Sequence, residues 1–223
     1  DIFVNRRRKD FWLHSIPSYS FWFILCVKEY FNKTGNIESR YLENVRQLLQ
    51  AIDKCVDKDG CLDFTKSGYK TDNNYARQFF FDWPSWGTED SREACRLLSV
   101  YTMREVVSCG YFDEDIRALA KNIGKRFDKS KFSFTAFKAI NAFGVLTDKN
   151  DKEKAVQDIV KGGAHGYSAF MSYFISKALV ESGMLKAAYD NNMEYYGGML
   201  KMGATTFWEG FDVDWMKDSC RID

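Results

Sequence analysis

Residues 203–215 read GATTFWEGFDVDW and combine carboxylates with large aromatic rings in a segment that has neither a helical nor a strand period. Glu209 stands between Trp208 and Gly210, with further rings on both sides. Aromatic faces stack on the apolar faces of sugar rings, carboxylates accept hydrogen bonds from sugar hydroxyls, and a partly dehydrated carboxylate suits proton transfer. The segment therefore predicts a sugar site around Glu209. The alternative is that the rings belong to the core and that Glu209 caps a helix or faces solvent.

The same composition recurs in residues 59–89, the longest stretch without helical periodicity. It contains the sequence QFFFDWPSWGTED, in which Asp82 stands beside the indoles of Trp83 and Trp86. Loops of more than about 15 structureless residues are commonly functional. This loop is thus a second candidate for the site, unless the two tryptophans serve only to anchor it.

Composition excludes several classes of partner. The 223 residues include 32 basic and 31 acidic side chains, so a net charge of +1 provides no field that would attract nucleic acid or an anionic membrane. No window approaches the roughly 18 unbroken apolar residues of a membrane span. The 45% hydrophobic content predicts a globular core. No glycine-rich phosphate loop and no metal-ligand cluster occurs, and we therefore expect no cofactor.

Six cysteines show no CxxC pair and no histidine at metal-ligand spacing. Cys26, Cys95 and Cys109 fall at apolar helical positions, which predicts buried thiols. Cys55 and Cys61 could form a disulfide bond in an oxidising compartment, but their spacing leaves this open.

Apolar periodicity predicts an all-α chain in which broadly apolar helices alternate with amphipathic ones. Three glycines, Gly35, Gly110 and Gly183, each end a helix before an apolar pair, and a left-handed glycine is the usual stop at that position. The predicted helices cover residues 17–33, 37–55, 90–108, 113–127, 132–147, 152–161 and 168–182, and an eighth has the stripe Leu185, Tyr189 and Met193.

The alternation of the two helix types suggests concentric layers, with the apolar helices inside and the amphipathic ones outside. The predicted architecture is therefore an (α/α) toroid of helical hairpins. A solenoid of helical pairs would show the same alternation, although its repeats are usually more regular in length.

Three segments resemble the catalytic domain of bacterial α-L-rhamnosidases of glycoside hydrolase family 78. They are IPSYSFW at 16–22, with Thr-Gly-Asn at 34–36, then FDWPSW at 81–86, and most specifically GATTFWE at 203–209. The resemblance spans nearly the whole chain and implies a six-hairpin (α/α) barrel. Because that barrel needs twelve helices and about eight are predicted, residues 1–223 would form one barrel domain lacking its first and last hairpins.

The resemblance implies inverting hydrolysis of terminal α-L-rhamnosides, with an oligosaccharide or glycoside as substrate. Glu209 corresponds to the general base, which activates water on the face opposite the leaving group. It also implies a periplasmic or extracellular location, while the oligomeric state stays open. The implied substrate-binding residues are Trp208, Trp83 and Trp86 for stacking, Asp82 for hydroxyl groups, and Tyr19 and Trp22 for the floor of the site.

The chain departs from the family pattern in three ways. The family's general acid comes from an acidic motif upstream of the first buried helix, and no such motif occurs between Asp1 and Pro17. Ser18 stands where the family commonly has an acidic residue, which puts one sugar contact in doubt. A later histidine of the family site has no counterpart, since His165 does not match its position. The isolated chain is thus expected to lack its general acid.

Other functions fit parts of the same pattern. A non-catalytic carbohydrate-binding helical domain or an inactive fragment would use the same rings without an acid, and a scaffold would bind no sugar. A polysaccharide lyase on a similar toroid would need a Tyr or His side chain as its base and basic side chains along the site to bind uronic acids. With only His14 and His165 in the chain, and no Arg or Lys beside Glu209, the lyase is disfavoured.

Overall fold

A computed structural model describes residues 16, 18–67, 79–127, 132, 135–149 and 151–218. Within these ranges there are helices and no strands, apart from an isolated antiparallel bridge between Val56 and Leu62. The all-α prediction is confirmed. The helices are α1 (Tyr19–Thr34), α2 (Ser39–Cys55), α3 (Asp90–Ser108), α4 (Glu114–Phe127), α5 (Lys138–Leu146), α6 (Lys152–Val160), α7 (Ala169–Glu181), α8 (Leu185–Lys201) and the short α9 (Trp215–Asp218).

The helix positions agree closely with the periodicity of the sequence. The exception is α5, which begins six residues later than predicted, at Lys138. Residues 133 and 134 of the expected first turns lie outside the described ranges. The predicted structureless stretch 59–89 contains two short 3-10 helices, Phe64–Ser67 and Trp83–Ser85, while residues 68–78 again lie outside the description.

The chain divides into two compact units, one made of residues 1–80 and 98–131 and the other of residues 81–97 and 132–223. Helix α3 contributes its first residues to the second unit and the rest to the first unit. In the first unit, α2 packs against α1 and α4. Four apolar residues of α2 are buried there: Val45, Leu48, Leu49 and Ile52.

The second unit is built around α5, which packs against α6 and α7, while α7 packs against α8. Every residue of α5 from Lys138 to Val145 is buried. Phe143 lies at the centre, with ring centroids 5.2 Å from Phe81 and 4.8 Å from Phe174. This aromatic cluster joins the segment before Trp83 to helices α5 and α7.

The predicted helix ends are confirmed before all three glycines, but only two of the three take the predicted left-handed conformation. Gly35 and Gly183 have φ of 66° and 78°, and the Gly35 N–H donates to the Phe31 carbonyl at 2.8 Å. Gly110 does not take a left-handed conformation, so that part of the prediction was wrong. The turn there closes through hydrogen bonds from Cys109 to Val106 and from Phe112 to Cys109.

The buried face of α8 differs from the prediction. The apolar stripe Leu185, Tyr189 and Met193 is 68%, 62% and 56% exposed, and α8 instead buries the side that includes Tyr195 and Met199. Helix α7 likewise exposes apolar side chains, although its sequence is apolar on nearly every side. The exposed ones are Phe170, Tyr173 and Val180.

Five of the cysteines lie in the described ranges, and all five are free thiols. Cys95 and Cys109 are buried as predicted, but Cys26 is exposed. Burial raises the pKa of the Cys55 thiol to about 12, so this thiol stays protonated near neutral pH. In the described part of the chain, no helix has the length and apolarity that a bilayer-spanning segment needs.

We expect Phe143→Ala to lower the free energy of unfolding by about 3–5 kcal/mol, because it empties a fully buried site between two other rings. The matched control is Phe207→Ala, whose ring is 79% exposed and should change stability by less than about 0.5 kcal/mol. Urea unfolding followed by circular dichroism measures both. Equal effects of the two substitutions would contradict the core described for the second unit.

Candidate functional site

The second unit contains a cleft of about 740 Å³. Three stretches of chain line it: the 3-10 helix after Asp82, the end of the loop between α6 and α7, and the 203–215 segment. The lining residues are Trp83, Pro84, Tyr167, Ser168, Glu209, Gly210, Phe211, Asp212, Asp214 and Trp215. Two sequence-distant regions that were singled out as chemically promising, around Trp83 and around Glu209, therefore meet at one cavity.

The 203–215 segment is irregular and depends on α8 for its position. Phe211 is buried, and its ring lies edge-on to the rings of Tyr195, Trp208 and Trp215. The Tyr195 hydroxyl donates to the Phe211 carbonyl at 3.0 Å. Phe211 thus anchors the middle of the segment, and the residues before and after it extend toward the cleft.

Close approach of this segment to α8 requires a glycine. A Cβ at Gly198 would lie 2.8 Å from Cζ of Phe211 and 3.1 Å from Sδ of Met216. Both distances are shorter than a normal van der Waals contact, so any side chain at position 198 would push the segment away. The adjacent Gly197 has no such neighbour within 4 Å.

Glu209 is exposed and lies on the lining of the cleft. Its Oε1 accepts a hydrogen bond of 3.3 Å from the indole Nε1–H of Trp83, 126 residues away in sequence. The exposure differs from the partly dehydrated carboxylate that the sequence predicts. The expected partnership of this carboxylate with aromatic rings is present, through Trp83.

Trp83 and Trp86 form an aromatic pair with ring centroids 5.8 Å apart and nearly perpendicular planes. Each side chain is 51% exposed. A tryptophan that merely anchors a loop would bury most of its ring, whereas half of each indole here is open to solvent. Trp83 lines the cleft and Trp86 does not, so the sugar stacking assigned to Trp86 stays a prediction.

Asp82 has a different position from the one its predicted role suggests. Its carboxylate is 5% exposed and accepts hydrogen bonds from the backbone N–H of Trp83 at 3.0 Å and of Ser168 at 3.2 Å. Burial raises the pKa of this carboxyl above its usual range, and the hydrogen bonds from Ser168 and Trp83 partly oppose the shift. The structure gives Asp82 the role of joining two walls of the cleft, and contact with sugar hydroxyls stays a prediction.

Asp212 and Asp214 bring two further carboxylates to the cleft. Asp212 accepts hydrogen bonds from the N–H of Gly166 at 2.8 Å and of Asp214 at 2.9 Å. Lys217 donates to Asp214 at 2.7 Å and holds the pKa of the Asp214 carboxyl below its usual range. Both aspartates lie in the segment that the sequence singled out, although no role was assigned to them.

Tyr167 and Ser168 line the cleft and have no counterpart among the predicted site residues. Tyr167 is buried and stacks on Tyr195 with ring centroids 4.9 Å apart. Burial raises the pKa of the Tyr167 hydroxyl, which therefore stays protonated. The signal in the sequence was the glycine-rich run KGGAHG just before them, a composition typical of a backbone that must bend sharply.

The remaining predicted site residues lie elsewhere. Trp208 is half-buried against Phe211 and is not part of the cleft lining. Tyr19 and Trp22 belong to α1 in the first unit, where the Tyr19 ring lies edge-on to Phe80. The sugar contacts assigned to these three residues stay predictions.

Ser18, the position where the resembling family has an acidic residue, is fully buried in the first unit. Its hydroxyl donates to the Phe80 carbonyl at 2.5 Å. In the described ranges, no group of three or more His, Cys, Asp or Glu side chains is arranged to hold a metal ion.

No protein-family model matches the chain, and neither a curated protein nor a solved structure matches it. The resemblance to family 78 rhamnosidases therefore depends on the three sequence segments and on how they are arranged.

Gly198→Ala should lower the free energy of unfolding by about 1–2 kcal/mol net, since the methyl group crowds Phe211 and Met216 and the cost exceeds the helix propensity that alanine adds. The adjacent Gly197→Ala should instead raise stability by up to about 1 kcal/mol, because alanine favours a helix and meets no neighbour. Denaturant unfolding and the tryptophan emission spectrum report both changes. The same sign of effect for the two variants would contradict the close packing of the segment.

Asp82→Ala should lower the free energy of unfolding by about 1–3 kcal/mol, because the N–H of Trp83 and of Ser168 lose a buried acceptor. Asp214→Ala removes an exposed carboxylate and should change stability by less than about 0.5 kcal/mol. Thermal unfolding in the absence of sugar distinguishes the two. An Asp82 variant as stable as the wild type would leave sugar binding as the better explanation of this residue.

Proposed function

We propose that this protein is a glycoside hydrolase that cleaves terminal α-L-rhamnosides with inversion, and that Glu209 is its general base. The observation that carries the proposal is the cleft in which the Glu209 carboxylate meets the exposed indole of Trp83. The resemblance of the 203–209 segment supplies the reaction type. The cleft beside Glu209 is large enough to hold a sugar, which supports the proposal.

The size and lining of the cleft suit a sugar. Small-molecule sites usually enclose about 300–1,000 Å³, and the cleft lies within that range. Trp83 and Trp215 supply ring faces, and Glu209, Asp212 and Asp214 supply acceptors for hydroxyl groups. Stacking on rings combined with hydrogen bonds to carboxylates is the combination that a neutral, hydroxyl-rich ligand needs.

The charge of the lining disfavours the lyase. None of the ten lining residues is Arg, Lys or His, and the nearby Lys217 is paired with Asp214, which disfavours binding of a uronic acid. The tyrosine of the lining, Tyr167, keeps its proton because burial raises its pKa, and a lyase base must give its proton up. A hydrolase acting on neutral sugars fits these properties better.

An inverting hydrolase also needs a general acid roughly 6.5–9.5 Å from the base. Asp214 is unsuited to this role, because Lys217 lowers its pKa and so keeps it ionised near neutral pH. Asp82 has a raised pKa but is buried and bonded to two backbone N–H groups. We therefore place the acid outside the lining of this cleft, as the family resemblance implies.

The architectural part of the proposal is that the helices belong to an (α/α) toroid of the six-hairpin type. Consecutive helices pack as pairs, α1 with α2, α5 with α6 and α7 with α8. The exposed apolar side chains of α7 and α8 support it too, because further hairpins of a toroid would cover them. Exposed apolar side chains that form a contiguous patch commonly mark a surface that another element covers.

The second candidate function is a non-catalytic carbohydrate-binding domain. It is favoured by the engagement of Glu209 with the Trp83 indole and by the absence of a suitable acid among the lining residues. It predicts binding of L-rhamnose without release of the aglycone. The hydrolase predicts both binding and release.

We expect Glu209→Gln to lower kcat for p-nitrophenyl α-L-rhamnoside by about 100-fold to 10,000-fold, since the amide cannot accept a proton from water. KM and stability should change little, because the amide oxygen can still accept the Trp83 hydrogen bond. The first sugar released by the wild type should be the β-anomer, as seen by proton NMR.

Glu153→Gln, which alters an exposed carboxylate of α6, is the matched control and should keep full turnover. Wild-type turnover in the Glu209 variant would refute the role of Glu209. Sugar binding without turnover in the wild type would favour the binding domain.

A further inference from the structure

The loop between α6 and α7, residues 161–168 with the sequence KGGAHGYS, is held by charged side chains; we call it the glycine loop. The Lys138 ammonium donates to the Gly163 carbonyl. Glu194 accepts from the Ala164 N–H at 2.9 Å, and Asp212 accepts from the Gly166 N–H at 2.8 Å. Because the loop ends in Tyr167 and Ser168, these bonds determine where one wall of the cleft lies.

Lys138 occupies a position that is unfavourable for a lysine. It is 5% exposed, and a buried ammonium loses its hydration. It is also the first residue of α5, and the helix dipole disfavours a cation at a helix N-terminus. The rest of α5 is buried and mostly apolar. A residue that breaks the local pattern in this way commonly marks a functional site.

Two nearby carboxylates offset part of the cost of burying this ammonium. Glu194 and Asp212 attract the Lys138 ammonium, and both bond the glycine loop that Lys138 also bonds. Asp212 in addition lines the cleft. At Gly163 φ is 79°, a conformation that favours glycine, and a Cβ there would lie 2.6 Å from the Glu194 carboxylate.

We propose that Lys138 is a positioning residue for the cleft: its ammonium, acting with Glu194 and Asp212, fixes the glycine loop and the carboxylate of Asp212 in the geometry that the ligand requires. The catalytic part of this inference depends on the proposed function. The positioning of the loop does not, and it can be measured without any sugar.

The test uses Lys138→Met, which keeps the length of the side chain and removes its charge, and Lys138→Arg, which keeps the charge. Amide hydrogen exchange is followed by mass spectrometry in the full chain without ligand. In the methionine variant we expect peptides covering 161–168 and 210–214 to exchange faster, by about tenfold or more, and the peptide covering α2 to be unchanged. The arginine variant should retain most of the protection.

The matched control is Lys152→Met, because Lys152 is the first residue of α6 but is exposed. It should leave exchange at 161–168 unchanged. If Lys138→Met also leaves that exchange unchanged, or if it raises exchange equally in α2, the positioning role is refuted. If the methionine variant does not fold, Glu194→Gln is used, which keeps Lys138 and should loosen the same peptides.

Kinetics with p-nitrophenyl α-L-rhamnoside then tests the consequence for the reaction. Lys138→Met should lower kcat/KM by about 10-fold to 100-fold through misplacement of the cleft wall, and Lys138→Arg should recover most of it. Full kcat/KM in a variant whose loop exchanges faster would overturn the link to the cleft. A wild type that neither binds nor hydrolyses the glycoside would refute the proposed function instead, while the exchange result still decides whether Lys138 positions the loop.

Discussion

The hydroxyl group of Tyr195 is the point on which the cleft depends. Its oxygen lies within hydrogen-bond distance of two carbonyl oxygens, that of Tyr167 at 3.1 Å and that of Phe211 at 3.0 Å, which share its single proton. Those carbonyls belong to the glycine loop and to the 203–215 segment, neither of which has a regular hydrogen-bonded ladder. A buried carbonyl without a partner is costly, so the Tyr195 hydroxyl stabilises the two irregular segments beside each other. Its ring is fully buried on α8, so both walls of the cleft are positioned relative to that helix.

Charged side chains also hold the glycine loop in place. Asp82 bonds Ser168, Asp212 bonds Gly166, and Glu194 bonds Ala164, so carboxylates replace the missing backbone partners of the glycine loop one after another. Such loops on a helical scaffold can be both irregular and well positioned, which is the usual basis of binding sites. The exposed indole of Trp83 is thus held on a fixed frame at the edge of the cleft.

The helices could be predicted from the sequence because their signals are local. Apolar periodicity and helix-ending glycines lie within a few residues of the structure they specify, and most predicted boundaries agree with the observed helices to within one or two residues. The buried face of α8 could not be predicted in this way. That helix has apolar residues on two sides, and the choice between the Leu185 side and the Tyr195 side depends on where Phe211 and Met216 pack.

The sequence by itself determined that the chain is all-α, where its helices lie, and that Glu209 stands among aromatic rings in a segment without regular structure. Only the tertiary structure decided that Trp83 meets Glu209 across 126 residues, that Asp82 faces backbone N–H groups, and that Tyr167 lines the same cleft. The physical reason is that turns and periodicity are set by neighbours along the chain. Contacts between distant segments depend instead on how helices pack, and in this protein on a tyrosine and a glycine of α8 whose importance no local pattern reveals.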